Sequence, residues 1–137
     1  VGFFNRQDYF NAHEVWEDWW QTCESSHRRF VQGLIQVAVA LYHASRDNWL
    51  GARRLYHSAQ TYQQPYTPFY CGLDLADWWQ QVRACLTEVL DLTNPTPRFP
   101  AAAWPTIRLT PAPPDWPDPH RVLHELLSAE EMDPAHE

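Results

Sequence analysis

Residues 4–20 read FNRQDYFNAHEVWEDWW and residues 28–43 read RRFVQGLIQVAVALYH. Neither stretch contains proline, and their apolar residues recur three and four positions apart, the spacing of a helix face. The short polar segment between them, with Ser25-Ser26 as turn and cap, predicts a hairpin of two helices. Phe4, Asn5 and Tyr9 fit an N-cap with a hydrophobic staple for the first helix, and Asp8 is a rival start. That helix is expected to end near residue 23. The second, residues 27–47, is apolar almost all round.

Working outward, Asn48 should cap a third helix over residues 49–63, and residues 64–72, QPYTPFYCG, read as a loop. Asp74 is a strong N-cap for a fourth helix reaching about residue 92, with Leu73 placed to staple onto Trp78. No strand-like alternation is expected before residue 93. Ten of the 12 prolines follow Thr93, and residues 5–63 contain none. The expected organisation is a helical domain over 1–92 and a Pro-rich extended tail over 93–137. Phe99, Trp104, Ile107, Leu109 and Trp116 punctuate that tail, which should lie across the helical core rather than float as a linker. Asp118-Pro119 then looks like the opening of a short final helix over 120–129. The fold class is all-α: a small bundle of about four helices around a helical hairpin, with a Pro-rich C-terminal extension.

Composition narrows the function classes. The 137 residues make one domain, with 45% apolar and 15% aromatic residues to build its core. The net charge is −7 and every basic residue is Arg. Nucleic acids and anionic membranes bind through clustered basic side chains. The doublets Arg28-Arg29 and Arg53-Arg54 are too small for that, so neither partner is expected. Cys23, Cys71 and Cys85 are odd in number and form no CxxC pair. This argues against a disulfide framework or thiolate metal site and for a reducing compartment, the cytoplasm. The longest strongly apolar run is residues 37–42, far short of the roughly 18 residues of a membrane span. The chain opens on Val1 rather than Met, which leaves room for preceding sequence.

On a wheel of 100° per residue centred on His13, Tyr9, Phe10, Trp16 and Trp20 fall within roughly 60° on either side, with Glu17 inside the arc and Glu14 at its margin. His13 is therefore expected at the centre of a buried face, with a carboxylate one turn on, a costly arrangement unless the groups are paired. Folding the hairpin near residues 24–25 sets Gln36 level with His13 and Gln32 level with Glu17, amides that both donate and accept. His43 is expected to face the third helix or a bridging water. On this reading Gln36→Leu strands His13, at about 1–3 kcal/mol. Gly33, which costs about 1 kcal/mol against Ala inside a helix, should mark a close helix crossing. Gly51 should mark another.

At these residues the chain resembles the domain-of-unknown-function family numbered 309, small helical proteins of bacteria and archaea. The resemblance rests on HEVWE at 13–17, QGLIQ at 32–36, the Asn48/Gly51 pair and Gly72-Leu73-Asp74, and it spans roughly residues 3–80. It implies an all-α fold without an assigned activity. By motif it singles out His13, Glu14, Glu17, Gln32, Gly33, Gln36, His43, Asn48 and Gly51. The Pro-rich tail lies outside it.

Three functional readings stand side by side. The favoured one is a non-catalytic domain whose His/Glu/Gln cluster fixes helix register and which acts through a protein partner or self-association, with no cofactor. The second is a divalent-metal binder or metal-dependent enzyme using His13, Glu17 and Glu14. Its pattern resembles HExxH, but Glu17 replaces the second His and the glutamines are poor ligands. The third is a small-ligand receptor walled by Trp16, Trp19, Trp20, Trp49, Trp78 and Trp79, residues whose helical spacing equally suits core packing. His120 and His124 stand four apart on the expected final helix, where chance or exposure explains them. His27 and His57 belong to no constellation in the sequence. GxSxG, Walker, GxGxxG and activated-Cys signatures are absent, so acyl transfer, nucleotide hydrolysis and dinucleotide chemistry have no support.

Overall fold

The computed structural model describes residues 1–109. Trp116 and the expected helix over 120–129, with His120 and His124, lie outside the described residues. A single turn of helix, α1 (Gly2–Asn5), precedes α2 (Tyr9–Thr22). Asp8 caps α2, accepting from the Asn11 backbone N–H at 3.3 Å. The Asn5 start is thereby corrected. Its side chain instead pairs with the backbone of Ile107, donating to the carbonyl at 2.9 Å and accepting from the N–H at 2.7 Å. Phe4 and Tyr9 still meet, edge to face at 5.1 Å.

The chain turns through a short 3-10 segment, Ser25–His27, into α3 (Arg28–Ser45). α3 buries most of its circumference, with Phe30, Val31, Leu34, Val37 and Leu41 among the buried residues, and leaves one half-buried stripe through Gln32, Gln36, Val39 and His43. α4 (Trp49–Gln63) folds back on α3 and is opened by Asn48, whose Oδ1 accepts from the Gly51 N–H at 3.1 Å. Thus α3 packs against both α2 and α4 and forms the centre of the bundle.

Residues 64–72 are not wholly a loop. Two-residue strands, β1 (Phe69–Tyr70) and β2 (Leu73–Asp74), pair antiparallel, with Phe69 opposite Asp74 and Tyr70 opposite Leu73. Strands this short leave no alternation to read. Their turn is Cys71-Gly72, both at positive φ (50° and 79°), the signature of a tight two-residue hairpin. Asp74 then caps α5 (Leu75–Cys85), accepting from the Asp77 N–H at 3.1 Å. The expected fourth helix breaks at Leu86, and α6 (Thr87–Leu90) is a separate turn.

From 93 to 109 the Pro-rich segment runs over the helices. Ala101 N–H donates to the Cys85 carbonyl at 3.0 Å, and Thr106 N–H to Gln81 Oε1 at 2.9 Å. Ile107 is buried, Phe99 and Trp104 stack edge to face at 5.0 Å, and Leu109 bridges to Leu73. The core joins Phe4, Trp16, Phe30, Leu34, Leu41 and Trp78, all fully buried. The architecture is all-α apart from the small hairpin. Among the described residues no helix is long and apolar enough to cross a membrane.

Candidate functional site

The residues of α2 that enter the core are Tyr9, Ala12, Val15 and Trp16. At 100° per residue their mean direction lies roughly a quarter turn from His13. His13 is therefore at the margin of the buried face, not its centre. Phe10, expected to point inward, is 55% exposed. The buried face runs through Tyr9, Ala12, Val15 and Trp16, with Trp16 fully buried, and so turns away from Phe10. In the HEVWE segment, Val15 and Trp16 are structural, while His13, Glu14 and Glu17 are half-buried and flank the solvent side.

His13 Nε2 stands 3.3 Å from Glu17 Oε1, with the two side chains 23% and 37% exposed. This is an i, i+4 pair on one helix and gains a full charge on both sides only when the imidazole is protonated. Phe10 lies beside it, its ring centroid 6.1 Å from that of His13 and 6.4 Å from that of Tyr42 on α3. Arg46 stacks its guanidinium on Tyr42 at 4.9 Å. A groove of about 470 Å³ opens next to this patch, bordered by Asp8, Tyr9, Phe10, Tyr42, Arg46 and Trp104.

The glutamines do not complete the expected cluster. Gln32 and Gln36 are half-buried on α3, and among the described residues no hydrogen bond joins either to His13 or Glu17. Gln36 Oε1 is buried without a partner. The picture of a fully buried imidazole held by facing amides is corrected accordingly, because the pair sits too far round α2. His43 turns instead to the start of α4, where its Nδ1 lies 3.2 Å from Asn48 Nδ2. Since the Asn48 amide donates, that nitrogen accepts, placing the ring proton on Nε2. The same Asn48 caps Gly51. A Cβ on Gly51 would come within 2.7 Å of Asn48 Nδ2, so this glycine clears the cap rather than a helix crossing.

The buried polar residue that sequence reasoning missed is Gln63. It is fully buried at the end of α4, its Nε2 donating to the Phe30 carbonyl at 2.9 Å and its Oε1 accepting from Trp78 Nε1 at 3.1 Å. Gly33 marks a close crossing at this same amide. His27, unassigned in the sequence, contacts Tyr70 and Cys71. Of the tryptophans, Trp16, Trp78 and Trp79 are core, while Trp20 lies beneath Arg28 at 4.6 Å. Among the described residues, no three His, Cys, Asp or Glu side chains gather closely enough to hold a metal ion.

Fold and surface together define a small helical-bundle protein with an unusual surface, an aromatic and a His–Glu pair side by side on its second helix. Residues 1–55 match the model of a family described as a domain of unknown function, DUF309. The chain is 46% identical over 56 residues to an uncharacterized protein, YpuF, of Bacillus subtilis (strain 168). The match covers 40% of this chain and 32% of that protein, so it spans about a third of the relative's length. Gly72-Leu73-Asp74 lies beyond the matched residues. No solved structure matches the chain.

Proposed function

We propose that this domain is non-catalytic and acts by docking a partner protein on the α2 surface around Phe10. One observation carries the reading. Phe10, His13 and Glu17 sit together on the outward half of α2, where the packing of the bundle does not require them. An exposed aromatic ring beside Arg-stacked Tyr42, rimmed by ionisable groups, has the composition of an interface centre. Asp8 borders the groove beside Phe10, Glu14 and Glu17 follow it one and two turns along α2, and the chain carries a net charge of −7. A complementary partner therefore offers an apolar notch rimmed by Lys or Arg, while a second copy of this acidic chain is electrostatically disfavoured. Three cysteines that form no disulfide with one another suit a cytoplasmic setting.

The test uses Phe10→Ser and Glu17→Lys, both on the surface and both expected to leave the circular dichroism spectrum unchanged. Affinity capture from a native lysate, followed by identification and titration of the recovered protein, should give a complex that both variants weaken at least tenfold, about 1.4 kcal/mol. Sedimentation of the purified chain should give a monomer. A Phe10-dependent dimer would replace the partner with self-association, and retention of binding by both variants would end the proposal. A metal reading of His13 and Glu17 is supported only by their 3.3 Å, i, i+4 approach. Elemental analysis of wild type and His13→Ala after supplementation decides it.

A further inference from the structure

Cys71 holds the first position of the turn between β1 and β2, at a φ of 50°. A turn with both central residues at positive φ favours Asn, Asp or Gly, so a cysteine there is locally costly. The turn sets its Sγ 3.9 Å from Nδ1 of His27, and the same nitrogen is hydrogen-bonded to the Tyr70 hydroxyl. Residues 44 positions apart in the chain thus bring a thiol, an imidazole and a phenol together. His27 is also the N-cap of the 18-residue α3, so the thiol stands at the positive end of that helix. A neighbouring imidazole and a helix N-terminus are both features that favour thiolate. The rings of Phe30, Tyr66 and Tyr70 crowd the place, with centroids 5.0 Å apart for Phe30–Tyr70 and 4.6 Å for Tyr66–Tyr70. The thiol is half-buried.

We propose that Cys71 and His27 form a base-activated thiol site that reacts with small peroxides and is oxidised to a sulfenic acid. His27 Nδ1 takes the Sγ proton, and the Tyr70 hydroxyl oxygen accepts the new N–H. The thiolate attacks one peroxide oxygen, forming the S–O bond as the O–O bond breaks. Sulfur gives up two electrons, which reduce the peroxide bond. With hydrogen peroxide, the departing hydroxide recovers the proton from His27 and leaves as water. The other two cysteines are internal controls. Cys85 is fully buried, and burial pushes its thiol up to about 12. Desolvation also raises Cys23, with the Arg28 charge pulling the other way.

The experiment treats the reduced full chain with hydrogen peroxide in the presence of dimedone and reads each cysteine by peptide mass spectrometry. Cys71 should label about tenfold faster than Cys23, and Cys85 should stay unlabelled. His27→Gln retains a hydrogen-bond acceptor for Tyr70 but takes no proton. It should slow Cys71 about tenfold with an unchanged circular dichroism spectrum. In urea the three thiols should label alike. Equal rates at Cys71 and Cys23 in the folded wild type, or a Cys71 rate untouched by His27→Gln, would overturn the proposal. The comparison within the wild type decides even if the variant fails to fold.

Discussion

A Cβ built on Gly33 of α3 would lie 2.2 Å from Cγ of Gln63 at the end of α4. Gln63 cannot swing aside, because its amide is bonded at both ends, to the Phe30 carbonyl of α3 and the Trp78 indole of α5. One fully buried amide thus joins three helices, and the glycine leaves the space through which it passes. In an ordinary helix Gly→Ala gains about 1 kcal/mol. Here the clash reverses the sign. Gly33→Ala is expected to lose about 2 kcal/mol or more, seen as a lower urea midpoint. The loss should be smaller when measured in a Gln63→Ala background.

Gln63→Leu should be costly for a different reason. The replacement fills similar volume but leaves the Trp78 Nε1–H buried without its acceptor. A stranded buried donor costs about 1–3 kcal/mol. Urea denaturation measures the loss, and the indole fluorescence of the native state should shift with the changed surroundings of Trp78. Unchanged stability would mean that the indole finds another acceptor.

Much of the frame is legible in the sequence because it rests on strong local signals. Asn48 and Asp74 are small oxygen-bearing residues just ahead of apolar periodicity, and each does accept the expected backbone N–H. The α2–α3 hairpin follows from two long proline-free periodic segments, and Gly33 stands out by its cost. The rotational setting of α2 is not legible. A wheel weights Phe10 and Trp20 by their hydrophobicity, whereas the packed face runs through Ala12 and Val15 with Tyr9 and Trp16. Gln63 escapes notice because a glutamine in the polar run QTYQQ carries no mark of burial; only the tertiary approach of Gly33 and Trp78 distinguishes it. His27 and Cys71 are likewise joined only by the hairpin of β1 and β2, whose strands are too short to read. Asn5 reads as a cap because a cap and a tertiary clamp on a backbone segment use the same amide chemistry.

Gln36→Leu now separates two pictures of the polar residues on α3. If Gln36 held His13, losing it would cost about 1–3 kcal/mol. With Gln36 Oε1 buried and unbonded, the substitution removes a desolvated acceptor and adds apolar volume. Stability should be unchanged or rise by up to about 1 kcal/mol. The thermal midpoint and urea midpoint of this one variant check the sign.

The Pro-rich segment is held to α6 by a carboxylate, which gives its attachment a pH dependence. Glu88 accepts from the Arg98 backbone N–H and from Arg98 Nε, each at 2.9 Å, and from Asn94 Nδ2 at 3.3 Å. The Arg98 N–H foremost, with its guanidinium and the Asn94 amide, holds the Glu88 carboxyl below the usual range, against the opposing effect of desolvation. A depressed acid contributes its stabilisation fully above its ordinary value and loses it as pH falls through the lowered one. Protection of the Arg98 amide against hydrogen exchange should therefore persist down to the ordinary carboxylate range and collapse only below it. In Glu88→Gln the acceptor has no charge to lose, so protection should be weaker and insensitive to pH over that interval. If wild type and variant lose protection in parallel, the clamp at residue 98 is held by the backbone path around Pro97 and Pro100 rather than by the ion pair.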